Sequence, residues 1–342
     1  MEMELAGNTD LLEKRETAIR EFLAETGLAA AERCKLSGDA SFRNYERIKH
    51  GGKSFVLMDA PPPKEDVRPF VNVACFLENN GFSAPHIIAK NEENGFLLLE
   101  DLGDDLYSSI LSIKPAPHLE EEIYGKAVDA LTELHKTPLL DNLSPYDDAR
   151  LLREAALFTD WYLPYAEIEL SESLKEEYAE ILLELFANLK KQKPVVVLRD
   201  YHAENLIYLP KREAHKKVGL LDFQDAVIGS PAYDLVSLLE DARRDVSPKL
   251  QKKIYNYYLA SNPKIDKELF ALCYAILGAQ RNLKIIGIFT RLAVRDEKRR
   301  YLYFLPRVWK HLDADLEKPE LLPLKNWLRK ILPAGRMRHE NR

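Results

Sequence analysis

The sequence contains little cysteine, and its spacing does not suggest pairing. Cys34, Cys75 and Cys273 lie far apart, and no two of them have C-x-x-C spacing. Neither a disulfide framework nor a zinc site is therefore expected, and a reducing compartment is predicted. The N-terminal residues lack the cationic and apolar regions of a leader, and no later run approaches a membrane span. We expect a cytoplasmic protein with no membrane partner.

Positive charge is not in excess either. The 342 residues include 49 Lys and Arg against 55 Asp and Glu, a formal net charge of −6. Because a broad nucleic-acid surface must be basic, we expect no nucleic-acid partner. Hydrophobic residues make up 46% of the chain, which is enough for packed cores. A chain of this length exceeds what one core usually holds, so two lobes are predicted.

The sequence also lacks the familiar phosphate-binding glycine motifs. Neither G-x-G-x-x-G nor a Walker A lysine motif occurs. The small polar segment Gly38–Ser41 precedes a predicted strand, and such a turn can donate backbone N–H groups to phosphates. An ordinary surface loop explains this segment equally well.

The residues that carry chemistry lie between short apolar runs in residues 194–226. The first run predicts a buried strand followed by a polar loop from Asp200 to Asn205. The next two runs predict a hairpin that ends in Asp222. Two carboxylates and one amide are therefore expected on neighbouring loops.

Phosphoryl transfer requires such a set. One Asp orients the acceptor hydroxyl, while an Asn and a second Asp hold Mg²⁺ on the phosphates, spaced in protein kinases as D-x-x-x-x-N followed by D-F-G. Asp200 and Asn205 have this spacing, and Asp222 begins a D-F-Q sequence. Each residue alone is more often an ordinary turn residue. Together they favour a kinase-type site that uses ATP and Mg²⁺.

The residues before Glu100 predict a small antiparallel sheet. Alternating segments around Gly51-Gly52 predict a hairpin, residues 64–80 predict a helix, and residues 85–89 and 96–99 predict two more strands. An N-terminal helix is predicted to begin at Thr9 or Asp10.

The sequence turns acidic at residue 100, where we place a domain boundary. Residues 1–100 are predicted to form a nucleotide-binding lobe, and residues 101–342 a helical lobe with the catalytic loop and the substrate site. Backbone leaving a sheet at such a hinge can pair with adenine, so Glu100, Asp101 and Leu102 are candidates for that contact. A plain linker is the alternative.

The second lobe is predicted to be mainly helical, which makes the whole chain α+β. Its longest helical pattern, residues 264–289, is interrupted by Gln280, Arg281, Asn282 and Lys284. Polar groups inside an apolar helix need partners. Arg281 either faces the substrate, holding a sugar or a carboxylate, or pairs with carboxylates of adjoining helices.

These residues carry a resemblance to a known family. The segments LRDYHAENLIYL, GLLDFQDAVIGSPAYDLVSLLED and AQRNLKIIGIFTRLA resemble the aminoglycoside-phosphotransferase-type kinase superfamily. Within it they are most similar to bacterial kinases of N-acetylmuramate and N-acetylglucosamine. The resemblance runs from about Gly38 to Trp309. It implies a bilobal protein-kinase-like fold and ATP-dependent phosphorylation of the anomeric hydroxyl, giving a sugar 1-phosphate for cell-wall recycling.

The resemblance also implies roles for individual residues. Asp200 matches the catalytic aspartate, Asn205 and Asp222 match the Mg²⁺ ligands, and Asp234 matches an aspartate that braces the catalytic loop. The loop that covers the phosphates corresponds to residues 38–43, which makes Ser41, Phe42 and Arg43 candidate nucleotide contacts. The candidate substrate contacts are His202, Glu204, Asp225 and Arg281.

Three positions depart from the family pattern. Leu198 replaces a loop-anchoring His. Met58 stands near the usual position of a strand cation, and the helix after the three prolines has no Glu at the matching place, so these two losses put the phosphate clamp in doubt. Arg43, Arg47 or Lys53 could supply the cation, and we favour Arg43 because it follows the loop directly.

Two other functions remain open at this point. One is a kinase of a cationic metabolite such as choline or an aminoglycoside, whose site would need an aromatic or acidic lining. The other is a nucleotide-binding regulator without catalysis, suggested by the missing clamp. A monomer with ATP and a sugar as its ligands is the state we expect.

Overall fold

The computed structural model describes residues 2–36, 42–113 and 117–332, with side chains described from Glu13 onward. The chain forms two compact units. The first contains Met1–Asp105 and Ile207–Asp225, and the second contains Leu106–Leu206 and Ala226–Arg342. The predicted boundary at residue 100 thus differs from the observed division, because the hairpin after the catalytic loop belongs with the N-terminal residues.

The first unit is built on an antiparallel sheet with the strand order β1-β2-β3-β5-β4. Its elements before residue 105 are α1 (Glu2–Glu25), β1 (Glu32–Lys35), β2 (Asn44–His50), β3 (Lys53–Asp59), α2 (Arg68–Asn79), β4 (Ile87–Asn91) and β5 (Phe96–Glu100). The predicted sheet and its strands are confirmed. The predicted start of α1 at Thr9 or Asp10 is wrong, because the helix begins at Glu2.

Glycines set two of the turns in this unit. His50 pairs with Lys53 across Gly51 and Gly52, whose φ values of 57° and 75° suit a tight hairpin between β2 and β3. Gly27, with φ 77°, ends α1. There Leu28 N–H donates to the Leu23 carbonyl over 2.7 Å, and Gly27 N–H to the Ala24 carbonyl over 3.0 Å, which is a Schellman motif.

Helix α1 packs on one face of the sheet through apolar side chains. Phe22 and Leu23 of the helix are buried with Ile48, Leu57 and Leu98 of the strands. Their burial removes apolar area from water at about 25 cal/mol per Å². The sheet is therefore anchored on this side independently of any ligand.

The second unit is mainly helical. Its elements are α3 (Tyr107–Ser112), α4 (Pro117–Leu134), α5 (Asp148–Leu157), a π-helical turn (Phe158–Tyr162), α6 (Leu163–Tyr165), α7 (Glu172–Phe186), β6 (Val195–Val197), β9 (Val227–Gly229), α8 (Ala232–Leu239), α9 (Pro248–Ser261), α10 (Lys267–Val294), α11 (Leu305–Asp315) and α12 (Leu322–Ile331). Strand β6 pairs antiparallel with β9. Strands β7 (Leu206–Tyr208) and β8 (Val218–Leu220) form the predicted hairpin between them.

Helix α10 is the central helix of this unit. It packs against α5 so closely that a Cβ on Gly287 would lie 2.3 Å from the Leu157 carbonyl carbon, so only glycine fits there. By length and composition alone it could cross a membrane, but most of its apolar window is buried. A buried core helix passes the same test, so the finding is weak evidence for a membrane span.

Helix α10 also carries a buried carboxyl pair. The Asn282 amide donates to Glu240 Oε2 over 2.8 Å and to Asp315 Oδ2 over 3.1 Å. Burial raises the pKa of Glu240 to about 7, and burial together with the nearby Glu240 raises the pKa of Asp315 well above its ordinary value. The folded protein therefore holds a proton here that the unfolded chain would release.

This buried pair predicts a pH-dependent stability. A carboxyl whose pKa is raised by folding stabilises the fold most below its unfolded pKa, and that contribution is lost as pH rises through the folded value. We expect Asp315→Asn to raise the midpoint of thermal unfolding more at about pH 8 than at about pH 5. Asp313→Asn, on the exposed side of α11, is the control. Parallel pH profiles for wild type and Asp315→Asn would contradict the assignment.

Candidate active site

The loop after β6 is held by a buried carboxylate. Asp234, fully buried near the start of α8, accepts the backbone N–H of Leu198 over 2.7 Å and that of Arg199 over 2.8 Å. Burial raises the pKa of Asp234 to about 7, while the two N–H donors favour its charged form. Arg199 adopts a left-handed backbone with φ 71°. Such a conformation costs free energy and persists only where the surroundings impose it.

The contacts of Asp234 with the loop backbone fix the part of the chain that carries Asp200 and Asn205. Asp200 is half-buried, and its carbonyl accepts the side-chain amide of Asn205 over 3.0 Å. Because Asn205 Nδ2 is the donor, Oδ1 is the atom that the side chain offers to another partner. Tyr201 fixes the loop to α4, since its hydroxyl donates to the Ala127 carbonyl over 2.8 Å. The D-x-x-x-x-N spacing thus closes a compact turn.

The charges around Asp200 keep it ionised. Burial alone would raise the pKa of Asp200, but the Lys284 ammonium and the Arg199 guanidinium lower it below its ordinary value. Burial lowers the pKa of His202, so this imidazole is neutral near pH 7. An ionised, partly accessible carboxylate can accept a proton from a hydroxyl.

The predicted substrate contacts of the second unit lie in different surroundings. Glu204 forms an ion pair with Arg243 at 3.0 Å. His202 is buried, with Nδ1 unpaired among the described residues. Arg281 is 5% exposed and donates to Ser237 Oγ over 3.0 Å and, at 3.4 Å, to the Glu240 carbonyl. Both acceptors are inside the second unit, and among the described residues no hydrogen bond joins Arg281 to a carboxylate.

In the first unit, Asp222 ends the β7–β8 hairpin on a left-handed residue, φ 55°. The next residue, Phe223, is buried and stacks on Phe70 of α2 with ring centroids 4.8 Å apart. Gln224 Nε2 donates to Asp222 Oδ1 over 2.9 Å and lies 3.5 Å from Asp225 Oδ2. The buried Phe223 ring therefore fixes the backbone next to Asp222, whose carboxylate is exposed.

Arg43 lies between two carboxylates of the same unit. Its Nε is 3.2 Å from Glu65 Oε2, and its Nη1 is 3.6 Å from Asp222 Oδ1. Glu65 also accepts the backbone N–H of Phe42 over 3.2 Å. Met58 is buried in the sheet and supplies no positive charge there. Arg43 therefore has the acidic partner that the α2 sequence was predicted to lack, because Glu65 lies just before the helix begins.

The predicted adenine contacts follow the last paired residue of the sheet. Phe55 pairs with Glu100, whose carboxylate binds Arg212 at 2.6 Å. Asp101 accepts Arg47 Nε over 2.7 Å and the backbone N–H of Gly103 over 3.0 Å. Arg47 is thereby held beside Asp101, whereas Arg43 contacts Glu65 and Asp222. The Leu102 side chain lies over Gly219 of β8, with 3.1 Å between its Cδ1 and a Cβ built on that glycine.

One predicted site residue is not described by the structure, and three residues near the site were not predicted. Ser41 lies outside the described residues. Glu65, Glu154 and Lys284 were not predicted as site residues. Glu65 binds Arg43, and Glu154 binds both Lys284 and Arg199, the residue before Asp200. A lysine inside an apolar helix was the one available signal, because a buried ammonium needs an anionic partner.

A preformed metal cluster is not seen in the described part of the chain: no three His, Cys, Asp or Glu side chains converge there. Mg²⁺ typically takes only one or two protein carboxylates and completes its shell with water and phosphate oxygens. The exposed Asp222 carboxylate and the Asn205 Oδ1 atom are oxygen donors of the kind that this ion prefers. Both side chains are therefore chemically suited to Mg²⁺, with Asn205 in the second unit and Asp222 in the first.

Solved structures similar to this chain share its fold. The gentamicin complex of APH(2″)-IIa aligns with a TM-score of 0.54 at 19% identity, over 85% of this chain and 93% of that one. The choline kinase LicA from Streptococcus pneumoniae aligns with a TM-score of 0.59 at 14% identity, over 87% and 99%. The predicted bilobal, protein-kinase-like α+β fold is thus confirmed.

Sequence relatives are much closer. N-acetylmuramate/N-acetylglucosamine kinase from Caulobacter vibrioides is 37% identical over 94% of this chain and 98% of its own length. The protein of the same name from Pseudomonas aeruginosa is 38% identical over 89% and 90%. Residues 32–270 match the model of the phosphotransferase enzyme family. Because that match covers most of the chain and includes the catalytic loop, the protein belongs to the phosphotransferase enzyme family.

Proposed function

We propose that the protein is an ATP-dependent kinase that phosphorylates the anomeric hydroxyl of N-acetylmuramate, N-acetylglucosamine or both. The observation that carries the proposal is the half-buried Asp200, hydrogen-bonded to Asn205 on a loop that Asp234 fixes. The sugars are inferred from the names of relatives that align over nearly the whole chain.

Asp200 acts on the acceptor. Its carboxylate orients the sugar hydroxyl and accepts the proton as the bond to phosphorus forms, while the ADP oxygen leaves. Arg43, held by Glu65 and Asp222, offsets negative charge on the transferred phosphoryl group. Most of the catalytic effect in such a reaction is positioning and charge stabilisation, because no covalent enzyme intermediate is needed.

Asn205 and Asp222 are the residues that would hold Mg²⁺, and the ion would neutralise charge on the nucleotide phosphates. Glu100, Asp101 and Leu102 are proposed at the adenine, with Ser41 and Phe42 at the phosphates. ATP and GDP complexes of structures with this fold support nucleotide binding at such a site. His202, Glu204 and Asp225 remain proposed near the substrate, in a monomeric cytoplasmic enzyme.

The first prediction tests the activity itself. The purified protein with Mg·ATP should consume ATP with N-acetylmuramate or N-acetylglucosamine, and not with choline or kanamycin, because the cations around Asp200 repel cationic acceptors. Asp200→Asn should lower turnover about 10²- to 10⁴-fold while the affinity for Mg·ATP stays nearly unchanged, since the lost group acts on the acceptor.

Asp148→Asn is the matched control in the same unit, because Asp148 pairs with Lys190 at the surface. Equal losses of turnover and nucleotide affinity in Asp200→Asn would contradict its role. Nucleotide binding without turnover of any acceptor would favour a non-catalytic regulator.

The second prediction concerns Asp222. Replacing it with Asn removes one negative ligand, so Mg·ATP should bind at least about tenfold more weakly by calorimetry. ATP binding in excess chelator should change little. Asp66→Asn, an exposed carboxylate of the same unit that binds Arg68, should behave as wild type. If Mg·ATP affinity is unchanged in Asp222→Asn, the residue is not a metal ligand.

The third prediction couples Arg43 to Glu65. Arg43→Met should lower kcat/KM for ATP about 10- to 100-fold, and Glu65→Gln should lower it less, because it only loosens the arginine. In the Arg43→Met background Glu65→Gln should add little, so the double-mutant cycle should show a coupling of about 1 kcal/mol. Glu93→Gln, exposed in the β4–β5 turn, is the control. Additive losses would mean that Glu65 acts independently of Arg43.

A further inference from the structure

Lys284 is an ammonium on a mostly buried helix. It lies one turn after Arg281 on α10, and its Nζ is 3.0 Å from Glu154 Oε2 on α5. Both side chains are 13% exposed, so each retains a small opening to solvent. Burying such charges is costly unless they are paired, which makes this contact a built feature of the wall formed by α5 and α10.

Glu154 is shared between two cations. Besides Lys284 it binds the Arg199 guanidinium through Oε1 and accepts the hydroxyl of Tyr146. Burial raises the pKa of Glu154, but Lys284 and Arg199 lower it below its ordinary value, so it carries one negative charge at neutral pH. One carboxylate thus faces two positive charges. The acceptor-side cluster of Glu154, Arg199 and Lys284 therefore carries a net positive charge beside Asp200.

Lys284 is the member of this cluster best suited to a ligand. Arg199 is fixed by its own backbone contact with Asp234, and its guanidinium lies 5.4 Å from the centre of the Tyr146 ring. Arg281 is committed to Ser237. An ammonium on a flexible stem has three donors and can serve a second acceptor while keeping Glu154. Lys284 is also the charge that acts most strongly on Asp200.

We propose that Lys284 is the specificity-determining residue of the acceptor site and that its ammonium binds the carboxylate of an acidic sugar. The inference rests on the proposed function and deepens it. N-acetylmuramate differs from N-acetylglucosamine by an ether-linked carboxylate, and only that group would gain a charged hydrogen bond from Lys284. The same ammonium disfavours a cationic acceptor, because two like charges would be brought together in a partly desolvated site.

The test compares the two sugars in one enzyme. Lys284→Gln removes the charge but keeps an N–H donor for Glu154, and Lys284→Arg keeps the charge. In Lys284→Gln, the ratio of kcat/KM for N-acetylmuramate to kcat/KM for N-acetylglucosamine should fall about 10- to 100-fold, because any loss that acts through Asp200 is shared by the two sugars. Lys284→Arg should restore most of the preference. Lys190→Met, which breaks a surface ion pair with Asp148, should leave the ratio unchanged.

Calorimetric binding of both sugars, measured in parallel, separates this proposal from the proposed function. If wild type phosphorylates neither sugar, the proposed function fails. Weaker binding of N-acetylmuramate alone in Lys284→Gln would still support the role of Lys284. Equal losses for the two sugars, or no loss for either, would overturn it, because a lysine that acts only through Asp200 or through the fold cannot distinguish them. Thermal unfolding identifies a variant that fails to fold, and Lys284→Met then replaces it.

Discussion

The buried Asp234 carboxylate accepts the backbone N–H groups of Leu198 and Arg199, and the loop that carries Asp200 depends on that contact. It compensates the cost of the left-handed Arg199 backbone, which in turn sets the direction of Asp200. A side-chain anchor on the loop, such as the histidine seen elsewhere in the superfamily, is then unnecessary. The apolar Leu198 can be buried at that place, since its backbone supplies the hydrogen bond.

In the first unit, a buried side chain likewise fixes the backbone beside a left-handed residue. Phe223 is fixed by stacking on Phe70, and the left-handed Asp222 beside it is aimed by that anchor. The cation near Asp222 comes from Arg43, and its counter-charge comes from Glu65 just before α2. A cation–carboxylate pair can thus form at positions other than the strand and helix positions of the family pattern, because electrostatics depends on distance and burial rather than on sequence register.

The features that the sequence predicted are local ones. The Gly51-Gly52 hairpin follows from backbone preferences of adjacent residues, and the spacing of Asp200 and Asn205 from the chemistry of one loop. The pairing of Glu154 with Lys284 joins helices far apart in the sequence, and no local pattern encodes it. For the same reason Arg281 was predicted at the substrate: a charge in an apolar helix signals that a partner exists, but not which one.

The residues that hold the Asp200 loop and the residues of the proposed acceptor contact lie on different elements. Asp200 and its anchor Asp234 belong to the loop and to α8, whereas Glu154 and Lys284 belong to α5 and α10. Lys284 can therefore be replaced without removing the backbone contacts between Asp234 and the loop. A fold shared by kinases with differently charged acceptors needs this independence, because a specificity element inside the loop would alter the reacting carboxylate each time the acceptor changed. In this chain the acceptor-side cluster of Glu154, Arg199 and Lys284 has two positive charges and one negative charge, which suits a neutral or acidic sugar.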